Sequence, residues 1–140
     1  MTAAQMPTPL RLRATIVCDD FRVEGNGKLM LLGIYAGAVM VSEAPTAIPL
    51  CFFNIFDALQ PASQRVTIQL LRKQDTDWKP VLSGAVDLNI TAVSTVYSVI
   101  KFGSVPINAG EYSVRTLIQD TVDIGQYNFS VTVARNGQGG

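Results

Sequence analysis

The chain contains no histidine, the side chain most often used for proton transfer and metal binding near neutral pH. A Ser-His-Asp triad and a Cys-His pair are therefore excluded, as are histidine-containing metal sites, which include most catalytic zinc sites. Carboxylates are the main remaining groups that could act in catalysis or bind an ion. The composition consequently favours a non-catalytic protein without a cofactor, and an enzyme that uses carboxylates alone is the weaker alternative.

Charge is also scarce, because charged residues make up 16% of the chain and eleven basic residues offset eleven acidic ones. Nucleic-acid binding needs an excess of clustered lysine and arginine, so this class of partner is not expected. A domain with few charges and no net charge has little repulsion between its copies. The composition thus predicts self-association or a place in a larger protein assembly, although a well-filled core beneath an uncharged polar surface is an equal alternative.

Long apolar runs are missing as well. The longest uncharged run, Leu29–Ser42, is interrupted by two glycines and is too short to span a bilayer, so no membrane insertion is expected. The first residues lack the apolar segment of a signal peptide, which predicts a cytoplasmic protein. Cys18 and Cys51 are the two cysteines, and each lies in an apolar strand pattern typical of a buried thiol. A disulfide between them is the alternative.

What the chain does have is alternation of apolar and polar residues with period two, which indicates β-strands. Ala38–Val41 either continues the strand before it past a bulge at Gly37 or forms a separate short strand. The other predicted strands are Arg11–Cys18, Lys28–Tyr35, Ile48–Phe56, Arg65–Arg72, Val81–Ile90, Glu111–Gln119 and Gln126–Ala134. Residues 1–10 are then an N-terminal extension, 11–135 a single β-domain and 136–140 a flexible tail.

Three segments between these strands need separate interpretation. Asp57–Gln64 is predicted as a loop and Gln74–Trp78 as a polar hairpin turn. Ala92–Phe102 fits a helical face or a strand face, and its many β-branched residues favour a strand from Val96 onward. Tyr112 lies near a strand start in a Gly-x-Tyr sequence. In immunoglobulin-like sandwiches a tyrosine near a strand start closes a corner, and Tyr112 could have this role.

About eight strands with regularly spaced turn residues and no long helix predict an all-β fold. The expected architecture is a two-sheet antiparallel sandwich, either immunoglobulin-like or C2-like, and a closed barrel is the alternative.

One candidate site is a cluster of aspartates at one end of the sandwich. If the strands run alternately up and down, three loops at that end hold carboxylates that could bind calcium, which prefers several oxygen ligands from clustered loops. The candidate ligands are Asp19, Asp20, Asp57, Asp120 and Asp123. Aspartate is also a common turn residue. A separate strand at 38–41 would reverse the direction of every later strand, and the aspartates would then lie at different ends of the sandwich.

A second candidate site is the polar turn that contains the single tryptophan. Asp75, Asp77 and Trp78 could grip a carbohydrate or peptide, with the ring as a flat apolar platform and the acids providing orientation. The alternative, which the sequence favours, is a tryptophan that folds back over the core at a hairpin end.

The chain resembles a known family over most of its length. Cys18, Asp19, Arg22, Glu24, Gly27, Lys28, Gly33 and Tyr35 follow a Cys-Asp-x-x-Arg-x-Glu-x-x-Gly-Lys-x-x-x-x-Gly-x-Tyr pattern. This pattern resembles the opening of an uncharacterised bacterial and phage family described only as a domain of unknown function. Pro106, Gly110–Tyr112, Arg115 and Asp120 are similar to its C-terminal half. The resemblance implies a β-sandwich and supplies no activity, cofactor or substrate.

The sequence therefore predicts a non-catalytic β-sandwich that acts through protein–protein contacts, as an oligomer or as part of a host or phage assembly. The alternative is a ligand-binding module that uses either the Trp78 turn or the aspartate cluster.

Overall fold

Nine β-strands make up most of the chain in a computed structural model that describes residues 8–134. Their bounds are Leu10–Val23 (β1), Leu29–Tyr35 (β2), Ala38–Val41 (β3), Thr46–Ala58 (β4), Ala62–Gln74 (β5), Asp77–Ile90 (β6), Ser94–Ile107 (β7), Gly110–Ile118 (β8) and Val122–Val133 (β9). No residue in this range is helical, so there is no helix here long and apolar enough to cross a membrane. The predicted flexible tail lies outside the described residues.

The strands form two sheets, which confirms the predicted sandwich and not the barrel. The four-stranded sheet has the order β2-β1-β4-β7, and the five-stranded sheet has the order β3-β9-β8-β5-β6. All neighbouring strands are antiparallel except β3 and β9, which are parallel. The order β9-β8-β5-β6 opposite β1-β4-β7 resembles the immunoglobulin-like arrangement of strands G-F-C-C′ opposite A-B-E.

The short strand β3 settles the question that the sequence left open at Gly37. β3 belongs to the opposite sheet from β2, and Gly37 has the positive φ of 89° at the point where the chain crosses over. The Gly37 carbonyl accepts a hydrogen bond from the Ser130 N–H, while Val39 and Val41 enter the core. Ala38–Val41 is therefore a separate strand, and the count is nine instead of about eight.

The predicted loop at Asp57–Gln64 is largely wrong. Ala58 still pairs with Leu10 at the end of β4, and Ala62 already pairs with Ile90 at the start of β5. Pairing with neighbouring strands therefore extends β4 and β5 into a segment whose polar composition is typical of a loop. The predicted strand from Val96 is confirmed, although β7 begins at Ser94.

The core lies between the two sheets and is built by the alternating residues of each strand. Its largest fully buried side chains include Tyr112, Phe52, Phe56, Leu10, Leu50, Ile68 and Leu70. One polar contact crosses it: Asn54 Nδ2 in β4 donates to Thr116 Oγ1 in β8 at 3.2 Å, and both residues are fully buried. The two sheets are thus joined by apolar packing with a single buried polar bridge among the described side chains.

Tyr112 forms the corner that its position predicts. Its hydroxyl accepts a hydrogen bond from the Asn108 N–H at 2.9 Å and donates to the Asn108 carbonyl at 3.2 Å. The ring is 1% exposed and stacks on Phe129 with ring centres 5.5 Å apart. The β7–β8 connection is therefore tied to the core through one side chain.

Candidate functional site: the outer face of the four-stranded sheet

Strand β4 is apolar on both of its faces. Leu50, Phe52 and Phe56 belong to the core between the sheets. Cys51, Phe53 and Ile55 alternate with them and therefore point to the opposite side of the sheet. An antiparallel sheet that packs on one core normally places polar residues on its other face, so this second apolar face is unusual.

The neighbouring strands continue this surface. In the ladder, Phe53 lies between Ile16 of β1 and Val99 of β7, and its ring centre is 5.4 Å from that of Tyr97. Apolar residues of all four strands meet here: Ile16, Cys18, Ile34, Cys51, Phe53, Ile55, Tyr97 and Val99. We call these eight residues the apolar outer face.

Parts of the apolar outer face are open to solvent. Ile34 is 58% exposed and Tyr97 is 47% exposed, whereas Phe53 between the strands is 8% exposed. Scattered exposed apolar residues are ordinary, but a contiguous patch on one sheet face is typical of an interaction surface.

Charged residues border the apolar outer face at both ends and are paired within the chain. Asp57 lies 2.7 Å from Arg11 and 3.7 Å from Arg13. At the other end, the Lys101 ammonium donates to Asp20 Oδ1 at 2.9 Å, and this bond together with the Phe21 N–H holds the pKa of Asp20 below its usual value. These exposed pairs add little stability, but they give both bordering carboxylates, Asp57 and Asp20, a cation of the same chain.

The two cysteines lie side by side in the middle of this sheet, paired in the β1–β4 ladder. Both are free thiols with no exposed surface, which confirms the prediction of buried thiols. Burial raises the pKa of Cys18, and burial together with the neighbouring Cys18 raises the pKa of Cys51 to about 12. Because the thiolate is the reactive form, both groups are held in an unreactive state.

We expect both thiols of the native protein to react with a disulfide reagent at pH 8 far more slowly than after unfolding in urea. The reason is that the native fold both covers the sulfur atoms and disfavours the thiolate. The absorbance of the released thiol measures the rate. Rapid reaction of either thiol in the folded protein would contradict this description of the sheet.

Residues of the family-like pattern have clear structural roles in the β1–β2 hairpin. The Tyr35 hydroxyl donates to Asp19 Oδ1, and burial together with this hydrogen bond raises the pKa of Tyr35 to about 12. Gly33 has a φ of 66°, and a Cβ there would collide with the Asp19 carboxyl. Gly27, with a φ of 86°, closes the β1–β2 turn through its N–H to the Glu24 carbonyl. The resemblance itself remains a prediction.

The predicted aspartate cluster does not form. Asp19 and Asp20 lie within β1, towards the end that carries the β1–β2 and β5–β6 hairpins, which we call the hairpin end. Asp57, Asp120 and Asp123 lie near the opposite end. The prediction assumed that strands run alternately up and down without a separate strand at 38–41. Because β3 is a separate strand, the later loops lie at the other end. Across residues 8–134 no three acidic or cysteine side chains gather in a way that could hold a metal ion.

The three aspartates of that opposite end have other partners. Asp57 pairs with arginines of β1, as described above, and Asp120 accepts a hydrogen bond from the Thr67 hydroxyl at 2.5 Å. Asp123 Oδ1 accepts the Gly125 N–H at the start of β9. Each carboxylate thus has a structural role in turns or strand ends, which is the ordinary use of aspartate.

The predicted tryptophan site is only partly assembled. The turn itself is limited to Asp75 and Thr76, and Asp75 has a φ of 58°. Trp78 belongs to β6, where it pairs with Lys73 and is half-buried, whereas Asp75 and Asp77 are exposed. The three residues are close in the hairpin, but they do not line the groove that opens at this end.

One spacing found in some catalytic sites, Ser98-x-x-Lys101, lies in β7. Ser98 pairs with Asn54 and is buried towards the core, while Lys101 pairs with Cys51 and reaches Asp20 on the outer side. The two side chains therefore point to opposite faces of one strand and do not form a nucleophile–base pair.

The apolar outer face was not among the predicted sites. Its signal in the sequence is the unbroken apolar run Leu50–Phe53 and the ambiguous segment 92–102, where apolar residues occupy both faces of one strand. Such runs indicate strands covered on both sides, but they do not reveal that residues 8–134 place a second sheet over only one face of β4.

In comparisons with known proteins, no family model and no curated protein matches the chain.

Proposed function

We propose that this protein acts through protein–protein contact, and that the partner of the apolar outer face is a second copy of the chain. The observation that carries the proposal is β4, whose outward residues Cys51, Phe53 and Ile55 are as apolar as its core residues. Within residues 8–134 a second sheet covers one face of β4, and no sheet covers the other.

The size of the sheet fits such a contact. Strands of this length, spaced about 4.8 Å apart, give the four-stranded sheet a footprint on the order of 700 Å². A stable interface buries about 800 Å² on each partner, with an apolar centre and a polar rim. The apolar outer face would supply the centre, and the ion pairs at the two ends of the sheet would supply the rim.

The charge distribution permits two copies to approach. The chain has no net charge, and the acids at the rim are already paired with cations of the same molecule. Two identical surfaces can therefore meet without bringing unpaired carboxylates together, which would be costly. The mode of action needs no catalysis and no cofactor. A cytoplasmic location belongs to the same proposal, because two free thiols suit a reducing compartment.

We expect light scattering after gel filtration to give a dimer mass for the wild type and a monomer mass for Ile34→Lys and Tyr97→Lys at the same concentration. Each substitution places a charge on an exposed edge strand of the apolar outer face, Ile34 on β2 and Tyr97 on β7, which should raise the dissociation constant at least about tenfold. Both side chains are half exposed, so the folded monomer can accept lysine.

Met40→Lys is the matched control, because Met40 is 66% exposed on β3 in the other sheet. This variant should keep the dimer mass. A monomeric wild type at millimolar concentration would contradict the proposal, and so would a dimer that Met40→Lys disrupts while Ile34→Lys and Tyr97→Lys do not.

A further inference from the structure

A groove of about 300 Å³ opens at the hairpin end of the sandwich, away from the apolar outer face. It lies between the β5–β6 hairpin, the last residues of β7 and the segment that leads into β4. Three prolines, Pro45, Pro80 and Pro106, form its walls together with Val81 and Ile107. A concave, mainly apolar space of this volume is within the range of small-molecule sites.

Two cations line the groove, and neither has a carboxylate partner in the part of the chain that the structure describes. Arg72 of β5 and Lys79 of β6 are directly opposite one another in the ladder. Within residues 8–134 neither forms an ion pair, and no aspartate or glutamate lines the groove. Like charges directly opposite in a sheet destabilise it. The groove therefore has an uncompensated positive charge that an anion would neutralise.

The Arg72 guanidinium is held in place by the β7–β8 connection. Its Nη2 donates to the Ala109 carbonyl at 3.2 Å, and its Nε is buried with no hydrogen-bond partner among the described residues. The hydroxyl of Tyr112 fixes the same connection through Asn108. A guanidinium positioned in advance loses little side-chain entropy when it binds a planar anion.

We propose that this groove binds the carboxylate of a small organic acid, with Arg72 and Lys79 on the carboxylate and the proline walls around an apolar body. A planar carboxylate matches the two-pronged donor geometry of arginine. The body of the ligand gains by displacing water from Pro45, Pro80 and Pro106. This site is separate from the apolar outer face and does not depend on self-association.

Benzoate is a suitable probe, followed by the backbone amide signals of the ¹⁵N-labelled full chain. We expect saturable shifts at Val81, Asn108, Ala109 and Gly110, with benzoate binding about tenfold more tightly than acetate or inorganic phosphate. Equal binding of acetate would overturn the role of the proline walls. Equal or tighter binding of phosphate would overturn the choice of a carboxylate.

Two variants and a control make the assignment specific. Arg72→Lys keeps the charge but loses the planar donor pair, and Lys79→Gln removes an exposed charge, so each should weaken benzoate binding about tenfold. Lys28→Gln removes an exposed lysine from the neighbouring β1–β2 hairpin and should leave binding unchanged. An unshifted spectrum up to the solubility of benzoate, or shifts that Arg72→Lys and Lys79→Gln leave intact, would overturn the proposal.

Discussion

Asn54→Asp is expected to lower the free energy of unfolding by about 3–5 kcal/mol at neutral pH, because it places a charge in the core without a partner. Asn54 is fully buried, and its Nδ2 donates to Thr116 Oγ1. The described residues offer its Oδ1 no donor, and the buried Ser98 hydroxyl beside it also lacks a partner. A carboxylate is almost the same size as the amide, so the loss would be electrostatic and not steric.

The pH dependence identifies the cause. Burial raises the pKa of the introduced carboxyl above its unfolded value of about 3.9. As pH rises, the unfolded state releases its proton first, so stability falls from that value up to the raised folded pKa and is constant above it. Urea unfolding between about pH 3 and pH 8 should therefore show a variant that approaches the wild type only in acid. A loss of stability that is the same at every pH would contradict this explanation.

A matched pair of substitutions separates charge from shape. Asn54→Leu combined with Thr116→Val removes both members of the buried polar bridge and should be nearly neutral or stabilising. The same urea measurement should show no pH dependence relative to the wild type.

Tyr112→Ala is also expected to have a large effect, because it should lower the free energy of unfolding by about 3–5 kcal/mol. The substitution removes a fully buried ring that stacks on Phe129 and leaves a cavity between the sheets. It also frees the N–H and carbonyl of Asn108, which the hydroxyl now binds. Chemical unfolding followed by circular dichroism measures the loss.

Tyr112→Phe divides this loss into its two sources. The phenylalanine keeps the stacked ring but removes the corner hydrogen bonds, so the expected loss is about 1–2 kcal/mol. If Tyr112→Phe is as stable as the wild type, the hydroxyl does not hold the β7–β8 connection.

The sandwich could be predicted from the sequence because the alternation of side chains with period two follows from the geometry of the strand backbone. Arg65–Arg72 alternates cleanly and lies in β5, and Gln126–Ala134 alternates cleanly and lies in β9 up to its last residue, Val133. Tyr112 was predictable for a different reason, since a corner needs one tyrosine at one position near a strand start. Strand ends were less predictable: Asp57, for example, stays in β4 because of its ladder partner Arg11, which is far away in the sequence.

The sites were harder to predict, because they depend on which strands become neighbours. The aspartate cluster required a parity that β3 breaks by crossing to the other sheet. The groove joins Pro45, Arg72, Pro80 and Pro106 from four separate strands or connections. No local pattern in the sequence brings these residues together.

Intermolecular nuclear Overhauser effects test the central claim most directly, in a mixture of ¹³C-labelled and unlabelled protein. We predict contacts between copies that involve the side chains of Ile16, Ile34, Ile55 and Tyr97 on the apolar outer face. Met40, on the other sheet, should show none. Intermolecular contacts confined to Met40 and its surroundings, or no contacts at all at millimolar concentration, would contradict the account.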